Sequence, residues 1–236
     1  MERTSPGARA AFALNAALAW AGVILVLVLS ALGQFTGGPE PLPNLYGHHP
    51  AGLAGALSRV ADTLSYFTTW SNIVVAVALT LLAAQPHVDT GWRRVLRLDS
   101  LLMITVTAIV YAVLLSPLDP RIGWSKLTNP WQHIVVPAVT VVVWLIWGPR
   151  RWITGRTVLG AMLIPLLWVA WMLARGEVVD AYPYGFVDVI SLGYGPVFTT
   201  IGAILLFGLA VAAFYWGVER VLIAVAQRRP MASAGP

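Results

Sequence analysis

The chain has 236 residues, of which 58% are hydrophobic and 11% are charged, with a formal net charge of +5 and no cysteine. A soluble domain carries about 25% charged residues, so this composition excludes one and predicts a single transmembrane domain over residues 1–236. The absence of cysteine excludes disulfides, thiolate catalysis and cysteine-ligated metal or iron–sulfur sites.

Six apolar segments follow one another along the chain, and each is long enough to cross about 30 Å of hydrocarbon as a helix. They are Ala11–Leu32, Thr63–Ala84, Leu98–Ser116, Trp131–Gly148, Thr157–Ala174 and Pro196–Ile223. The third and fifth are at the short end of the usual range. We therefore expect an all-α integral membrane protein, a six-transmembrane-helix bundle with flexible ends at about residues 1–10 and 226–236.

Basic side chains are distributed unevenly between the two sets of connections. The set that includes both termini holds eleven arginines, whereas the other set holds three arginines and Lys126. Connections rich in arginine and lysine face the cytoplasm. This predicts cytoplasmic N- and C-termini and outward-facing loops at 33–62, 117–130 and 175–195. The positive charge is thus a signal of topology, and we expect no nucleic-acid partner.

Thr68 and His133 stand near the start of the second and fourth segments and are predicted to lie at the same depth. Each lies within two turns of its segment's outer end, at about 3–10 Å below the boundary. A hydroxyl and an imidazole are the minimum for a nucleophile activated by a general base. Pro137 cannot donate to the carbonyl of His133, which predicts a kink and a cavity beside the ring.

Each of these two residue types also has a purely structural explanation. Hydroxyls in membrane helices often bond back to a carbonyl of the preceding turn. A histidine beside Trp131 can rest at the membrane interface without any chemical role.

Four further polar residues are candidates for supporting the pair. Ser65 and Asn72 fall on one helical face with Thr68, so we expect all three to line the cavity. Asn72 and Asn129 are candidate donors to an oxyanion. Asp188 lies at about the level of the pair, where it either orients the imidazole as a third group or is a solvated loop or capping residue.

Other ionisable residues carry less information. Asp62 precedes the second span and is most simply its N-cap, and Asp99 opens the third span at the cytoplasmic end. His48 and His49 are adjacent in a loop without a ligand at helical spacing. The sequence predicts no metal site and no cofactor.

Several motifs carry a resemblance to known membrane proteins. They are YFTTWSN (66–72), VTAIVY (106–111), QHIVVPAVTVVVW (132–144) and YPYGFVDV (182–189). Their order resembles a family of predicted six-transmembrane proteins of bacteria, which is distantly similar to the androgen-induced protein family of eukaryotes. The resemblance implies a bacterial cell membrane protein and the activity of the eukaryotic family, hydrolysis of fatty acid esters of hydroxy fatty acids. It also implies an intramembrane Thr nucleophile and a His base, which match Thr68 and His133, although Thr69 is a second hydroxyl beside the first.

These observations lead to the hypothesis of an intramembrane threonine hydrolase of lipid or fatty-acid esters, with membrane lipids as its surroundings and partners. The alternative is a non-catalytic lipid-binding or structural membrane protein in which Thr68 and His133 hold helices together. A transporter is the least favoured class, because the spans show no acidic residue near the midplane and no evident repeat. The sequence identifies no protein partner.

Overall fold

A computed structural model describes residues 5–35, 42–118 and 121–228. Six helical segments of this part of the chain are long and apolar enough to cross a membrane. They are Pro6–Ala31, Phe67–Ala84, Gly91–Leu115, Ser125–Trp147, Gly155–Val179 and Tyr194–Arg228. The expected helical bundle with six long apolar segments is therefore confirmed, and the chain has the architecture of a multi-pass membrane protein.

Ten α-helices build these segments and their connections in the described residues. In chain order they are α1 (Pro6–Ala31), α2 (Ala56–Thr63), α3 (Phe67–Ala84), α4 (Gly91–Val110), α5 (Ser125–Pro130), α6 (Val136–Trp147), α7 (Gly155–Gly160), α8 (Leu163–Val179), α9 (Val189–Leu192) and α10 (Tyr194–Arg228). Two π-helical turns, Tyr111–Leu115 and Trp131–Val135, extend α4 and join α5 to α6. The connections after α1, α4 and α8 lie at the same end, which we call the site end of the bundle.

The third and fifth spans are longer than the sequence predicted, at 25 residues each. Their predicted limits stopped at arginines, which the helices nevertheless include. Arg93 lies in the first turn of α4 and donates to the carbonyls of Gln85 and Val88, each at 2.9 Å. Arg175 lies in the last turns of α8 and pairs with Asp62 at 2.6 Å. Arginines with such partners can be carried at the ends of a membrane helix.

Residues 6–10 and 226–228 of the two chain ends are helical. Helix α1 already begins at Pro6, after Ser5 caps it by accepting from the amide of Ala8 at 3.2 Å. Helix α10 continues to Arg228. Residues 1–4 and 229–236 of the segments expected to be flexible lie outside the described residues.

Close packing between α1 and α3 forms one half of the bundle. The buried face of α1 carries side chains that recur every three or four residues: Ala8, Phe12, Ala16, Ala19 and Val23. Three of them are alanines, and small side chains let helix backbones approach closely in a bilayer, where packing rather than water exclusion holds helices together. This contact fixes the position of α3, on which Thr68 stands.

The other side of α3 faces α4, which packs in turn against α6 and α10. The hydroxyls of Ser71 and Thr107 lie 2.7 Å apart and join α3 to α4. Those of Thr105 and Tyr215, also 2.7 Å apart, join α4 to α10. Because a bilayer offers no water to these hydroxyls, their pairing between helices satisfies polar groups that would otherwise be costly to bury.

Asp62 does not cap the second span, contrary to the prediction. It lies inside α2, and α3 begins five residues later at Phe67. Its buried carboxylate accepts a hydrogen bond from Arg175 at 2.6 Å and contacts the ring of His49. Asp62 therefore joins α2 to the end of α8 and to the loop after α1.

Asp99 does not open the third span either. Helix α4 begins at Gly91, which places Asp99 eight residues, or about 12 Å, along the helix. Its side chain is buried, and neither carboxylate oxygen accepts a hydrogen bond from the described residues. Asp99 thus lies inside the third long apolar helix rather than at its end.

The first and last loops of the site end pair with each other beside the site. Leu45 and Tyr182 form a parallel bridge, in which the amide of Tyr46 donates to the carbonyl of Tyr182 at 3.1 Å. The amide of Tyr182 donates to the carbonyl of Asn44 at 2.8 Å. The ring of Tyr182 also packs on Gly176, where a Cβ atom would overlap it. This pairing holds residues 182–187 above the start of α3.

Candidate active site

Thr68 and His133 meet at the site end of the bundle. Thr68 is the second residue of α3, and His133 lies in the π-helical turn between α5 and α6. The Oγ1 atom of Thr68 is 3.0 Å from Nε2 of His133, while Nδ1 of the ring is 2.9 Å from the carbonyl oxygen of Asn129. A ring that donates through Nδ1 to a carbonyl has its lone pair at Nε2. The Thr68 hydroxyl therefore donates to His133, and the predicted proximity of the two side chains is confirmed.

Pro137 explains the local backbone of His133. Proline has no N–H to donate to the carbonyl one turn earlier, and the helix accommodates this with a wider turn in which the amide of Val136 bonds to the carbonyl of Trp131. The predicted irregularity is thus a π-helical turn rather than a simple kink. Such turns inside α-helices occur frequently at functional sites.

A second π-helical turn, Tyr111–Leu115, places an aromatic ring against the imidazole. The rings of Tyr111 and His133 stack with 3.9 Å between centroids and 17° between planes. An aromatic face attracts positive charge. Tyr111 is therefore placed to stabilise the imidazolium that forms when His133 accepts a proton.

Helix α1 holds the π-helical turn of His133 from the other side. The indole of Trp131 donates to the carbonyl of Leu18, and the amide of Gln132 donates to the carbonyl of Gly22, each at 3.0 Å. A Cβ atom at position 22 would lie 3.0 Å from the Trp131 ring. Gly22 is thus required for the close approach that fixes this turn.

Tyr184 brings a phenol to the Thr68 hydroxyl. Removal from water raises the pKa of Tyr184 to about 12, although the neighbouring Thr68 side chain and the backbone of Thr68 and Phe67 oppose this shift. Thr68 and Phe67 are the first residues of α3, whose N–H groups have no acceptor within the helix. The phenol therefore lies at the positive end of the helix dipole and stays protonated near neutral pH.

Ser65 and Asn72 do not line the site as the sequence predicted. Ser65 precedes α3, and its hydroxyl donates to the carbonyl of Ala61 at 2.7 Å and accepts from the indole of Trp171. Asn72 is fully buried, and its amide donates to the carbonyls of Thr68 at 2.9 Å and Gln132 at 3.4 Å. Ser65 leaves the predicted shared face because α3 starts only at Phe67, after an extended Tyr66, whereas Asn72 lies one turn after Thr68 on the same helix.

The side-chain amide of Asn72 donates only to backbone carbonyls among its observed contacts. Both of its donor contacts are made inside the protein, which leaves this amide without an N–H directed at a substrate. The contacts join the backbone beside Thr68 to the backbone beside His133.

Asn129 and Asp188 also differ from expectation in how they relate to the ring. Asn129 orients His133 through its backbone carbonyl. Asp188 is buried and caps α9, where its carboxylate accepts from the amides of Ile190 at 3.0 Å and Ser191 at 3.2 Å. The capping alternative for Asp188 is therefore correct, and a backbone carbonyl occupies the position that an orienting carboxylate would take.

Two cavities meet at the pair. The larger, which we call the polar cavity, has a volume of about 740 Å³ and is lined by His133, Tyr111 and side chains of the loop after α1 and of α2, among them His49, Arg59 and Asp62. The smaller, which we call the apolar cleft, has a volume of about 60 Å³ and runs between α4, α8 and α10. Thr68 and Tyr184 line both cavities. Thr68 thus lies where the polar cavity meets the apolar cleft.

Tyr111 and Tyr184 were missed as site residues by the sequence argument. Both lie in motifs that carried the resemblance, VTAIVY and YPYGFVDV, but neither has a titratable group that draws attention near neutral pH. Their aromatic rings are typical of membrane interfaces, where tyrosine is common without any chemical role. Only the folded protein identifies them as site residues, because Tyr111 contacts His133 and Tyr184 lies beside Thr68.

Comparisons with known proteins identify no family for this chain. The chain matches no family model, no curated protein and no solved structure.

Proposed function

We propose that this protein is an intramembrane threonine hydrolase of lipid or fatty-acid esters, a distant relative of the androgen-induced proteins in a bacterial cell membrane. The observation that carries the proposal is the hydrogen bond from Thr68 to His133, whose other ring nitrogen is held by the carbonyl of Asn129. This is the geometry of an activated nucleophile: a hydroxyl, a base within reach and a third group that orients the base.

In the acylation step, Nε2 of His133 takes the proton of the Thr68 hydroxyl as Oγ1 attacks the ester carbonyl carbon. The resulting tetrahedral intermediate collapses by breaking the bond between the acyl carbon and the alcohol oxygen. His133 returns the proton to that oxygen, the alcohol leaves, and the acyl group remains on Thr68. The ring of Tyr111, stacked on the imidazole, favours the transient positive charge.

The negative charge of the intermediate falls at the start of α3. The amides of Phe67 and Thr68 and the hydroxyl of Tyr184 converge there, and they provide donors at the positive end of the helix dipole. These groups replace Asn72 and Asn129 as the candidate oxyanion donors.

In the deacylation step, water from the polar cavity gives a proton to Nε2 of His133 while its oxygen attacks the acyl carbon. The bond from that carbon to Oγ1 of Thr68 then breaks, Oγ1 regains the proton, and the carboxylic acid is released. The polar cavity reaches both residues, so water has access to the acylated site. With cytoplasmic termini, as the arginine distribution favours, this chemistry takes place in the outer leaflet.

The direct test combines two assays on the detergent-solubilised protein: hydrolysis of a long-chain 4-nitrophenyl ester and labelling by a fluorophosphonate. We expect the wild type to react in both and Thr68→Ala in neither, because the nucleophile is gone. His133→Ala should reduce turnover by about 10²- to 10⁴-fold. The double variant should be no worse than Thr68→Ala alone, because the two residues act as one unit.

Thr69→Ala is the matched control, since Thr69 is the adjacent hydroxyl on the same helix and also lines the polar cavity. It should retain most of the activity and the label. Full turnover by Thr68→Ala would place the nucleophile elsewhere. A wild type that hydrolyses no ester and takes no label would favour the non-catalytic alternative, in which the pair only joins α3 to α6.

A further inference from the structure

The apolar cleft begins at the Thr68 side chain and leads away from the polar cavity. Its lining comes from four parts of the fold: α3, α4 with its π-helical turn, the start of α8 with the preceding Met162, and α10. Residues 184–187 cover it at the site end. Among its polar members, Thr107 is paired with Ser71 at 2.7 Å, and Thr68 and Tyr184 belong to the site itself. The remaining lining is hydrocarbon, aromatic ring, thioether or glycine.

The direction and length of the cleft follow from the helices that line it. Leu102, Val106 and Val110 lie on one face of α4, and the eight residue steps from first to last rise about 12 Å. On α10, the seven residue steps from Ile201 to Gly208 rise about 10 Å. Half of a bilayer's hydrocarbon core is about 15 Å thick, so the cleft runs from the level of Thr68 towards the bilayer centre.

The innermost residues that line the cleft include a glycine. A Cβ atom added at Gly208 would lie 3.8 Å from Cδ2 of Leu102 and 3.9 Å from Cε of Met162. These three residues, from α10, α4 and the residue before α8, form what we call the floor of the cleft. Gly208 is buried, so its missing side chain leaves room that any larger residue would fill.

We propose that the cleft binds the acyl chain of the substrate, and that the floor formed by Leu102, Met162 and Gly208 limits the length of that chain. This inference rests on the proposed ester hydrolysis at Thr68 and names its substrate class: esters of single, unbranched fatty acids. A volume of about 60 Å³ has room for only a few water-sized groups, so the cleft accommodates one slender chain rather than two chains or a ring. The alcohol portion then lies in the polar cavity, from which it departs after acylation.

The test measures kcat/KM for 4-nitrophenyl esters of unbranched acids from butyrate to palmitate, with each variant assayed in the same micelles. Gly208→Leu fills the floor and should lower the ratio of long-chain to short-chain kcat/KM by about tenfold or more, the discrimination expected of a pocket that lacks room for added methylenes. Gly208→Ala, whose Cβ makes only ordinary contacts, should shift the ratio less. Met162→Ala opens the floor and should raise the ratio of long-chain to short-chain kcat/KM.

Gly202→Leu is the matched control, because Gly202 lies on the same helix and a Cβ atom there meets nothing within 4 Å. It should leave the chain-length profile unchanged. If Gly208→Leu does not fold, the opposite shift in Met162→Ala still decides the matter. Active variants that all share the wild-type profile would reject the acyl cleft and leave the hydrolase proposal standing. A wild type that hydrolyses none of the esters would reject both.

Discussion

The imidazole of His133 lies almost parallel to the phenol ring of Tyr111, with 3.9 Å between the ring centroids. Each ring stands on its own π-helical turn, one after α4 and one before α6. Two separate helix irregularities therefore serve a single contact. Such turns cost regular hydrogen bonding, and their coincidence at the Thr68–His133 pair is consistent with a site that requires a fixed imidazole.

Replacement of Tyr111 tests this stacking. Tyr111→Phe keeps an aromatic face over the imidazole and should retain kcat within a fewfold, whereas Tyr111→Leu removes it. A cation–π contact of about 1–2 kcal/mol at a desolvated site corresponds to a loss of about five- to thirtyfold in kcat for the leucine variant. Steady-state ester hydrolysis measures this difference. Equal activity of the two variants would show that the stacked ring has no part in the reaction.

Tyr184→Phe tests the phenol as an oxyanion donor. Loss of one such donor costs about 10²- to 10³-fold in kcat when the donor acts only in the transition state. Because the pKa of Tyr184 is raised to about 12, the phenol carries its proton at all working pH values, and removing it should cost the same at about pH 6 as at about pH 9. Measurement of kcat across this range decides the point.

Two outcomes would contradict this role for Tyr184. A variant with raised KM and unchanged kcat would make the phenol a substrate-binding group that acts equally in ground and transition states. A loss confined to one end of the pH range would point to proton transfer by the phenol. Phe186, which stacks on Tyr184 with 5.1 Å between centroids, provides a control: Phe186→Leu changes the packing without removing a donor.

The meeting of Thr68 and His133 could be predicted from two properties that a sequence carries: segment order and depth. Both residues stand near the start of spans that run in the same direction, and Pro137 marks the local irregularity. Whether those two spans are neighbours did not follow from the sequence. The six long helices follow from hydropathy. Predictions from segment order, depth and hydropathy do not require knowing which side chains contact one another.

The supporting residues could not be predicted because their roles depend on where helices start and on backbone groups. Ser65 was assigned to the face of Thr68, but the chain is extended at Tyr66, and this shifts the register of everything before it. Asp188 was a candidate to orient the ring, yet that place is taken by the carbonyl of Asn129, which every residue type possesses. A pattern of side chains in a sequence does not show which backbone carbonyl will accept a hydrogen bond from the imidazole.

The buried pair of Asp62 and Arg175 makes a separate prediction about stability. Their side chains are 8% and 11% exposed, and Asp62 also contacts His49. Asp62→Asn leaves the guanidinium of Arg175 without its charged partner, which should lower the free energy of unfolding by about 3–5 kcal/mol. Thermal unfolding followed by tryptophan fluorescence in detergent measures the loss.

The exposed pair of Asp89 and Arg94 is the matched control for that measurement. These side chains are 42% and 35% exposed and lie 2.6 Å apart, and exposed pairs contribute about 0–1 kcal/mol. Asp89→Asn should therefore change stability little. If Asp62→Asn were equally harmless, the contact of Asp62 with Arg175 would not hold the first loop and α8 together.

The orientation of the bundle can be tested with single cysteines, since the natural chain has none and gives no background. Ser58 is exposed on α2 at the site end, and Gly155 is exposed at the opposite end, where a Cβ atom meets no neighbour. Because eleven basic residues lie at or near the end of the bundle that carries both termini and four at or near the site end, the site end should face outward. Ser58→Cys should then react with a membrane-impermeant maleimide in intact cells, and Gly155→Cys only after permeabilisation. The reverse pattern would place the Thr68–His133 pair in the cytoplasmic leaflet, so that its substrates would have to come from that side of the membrane.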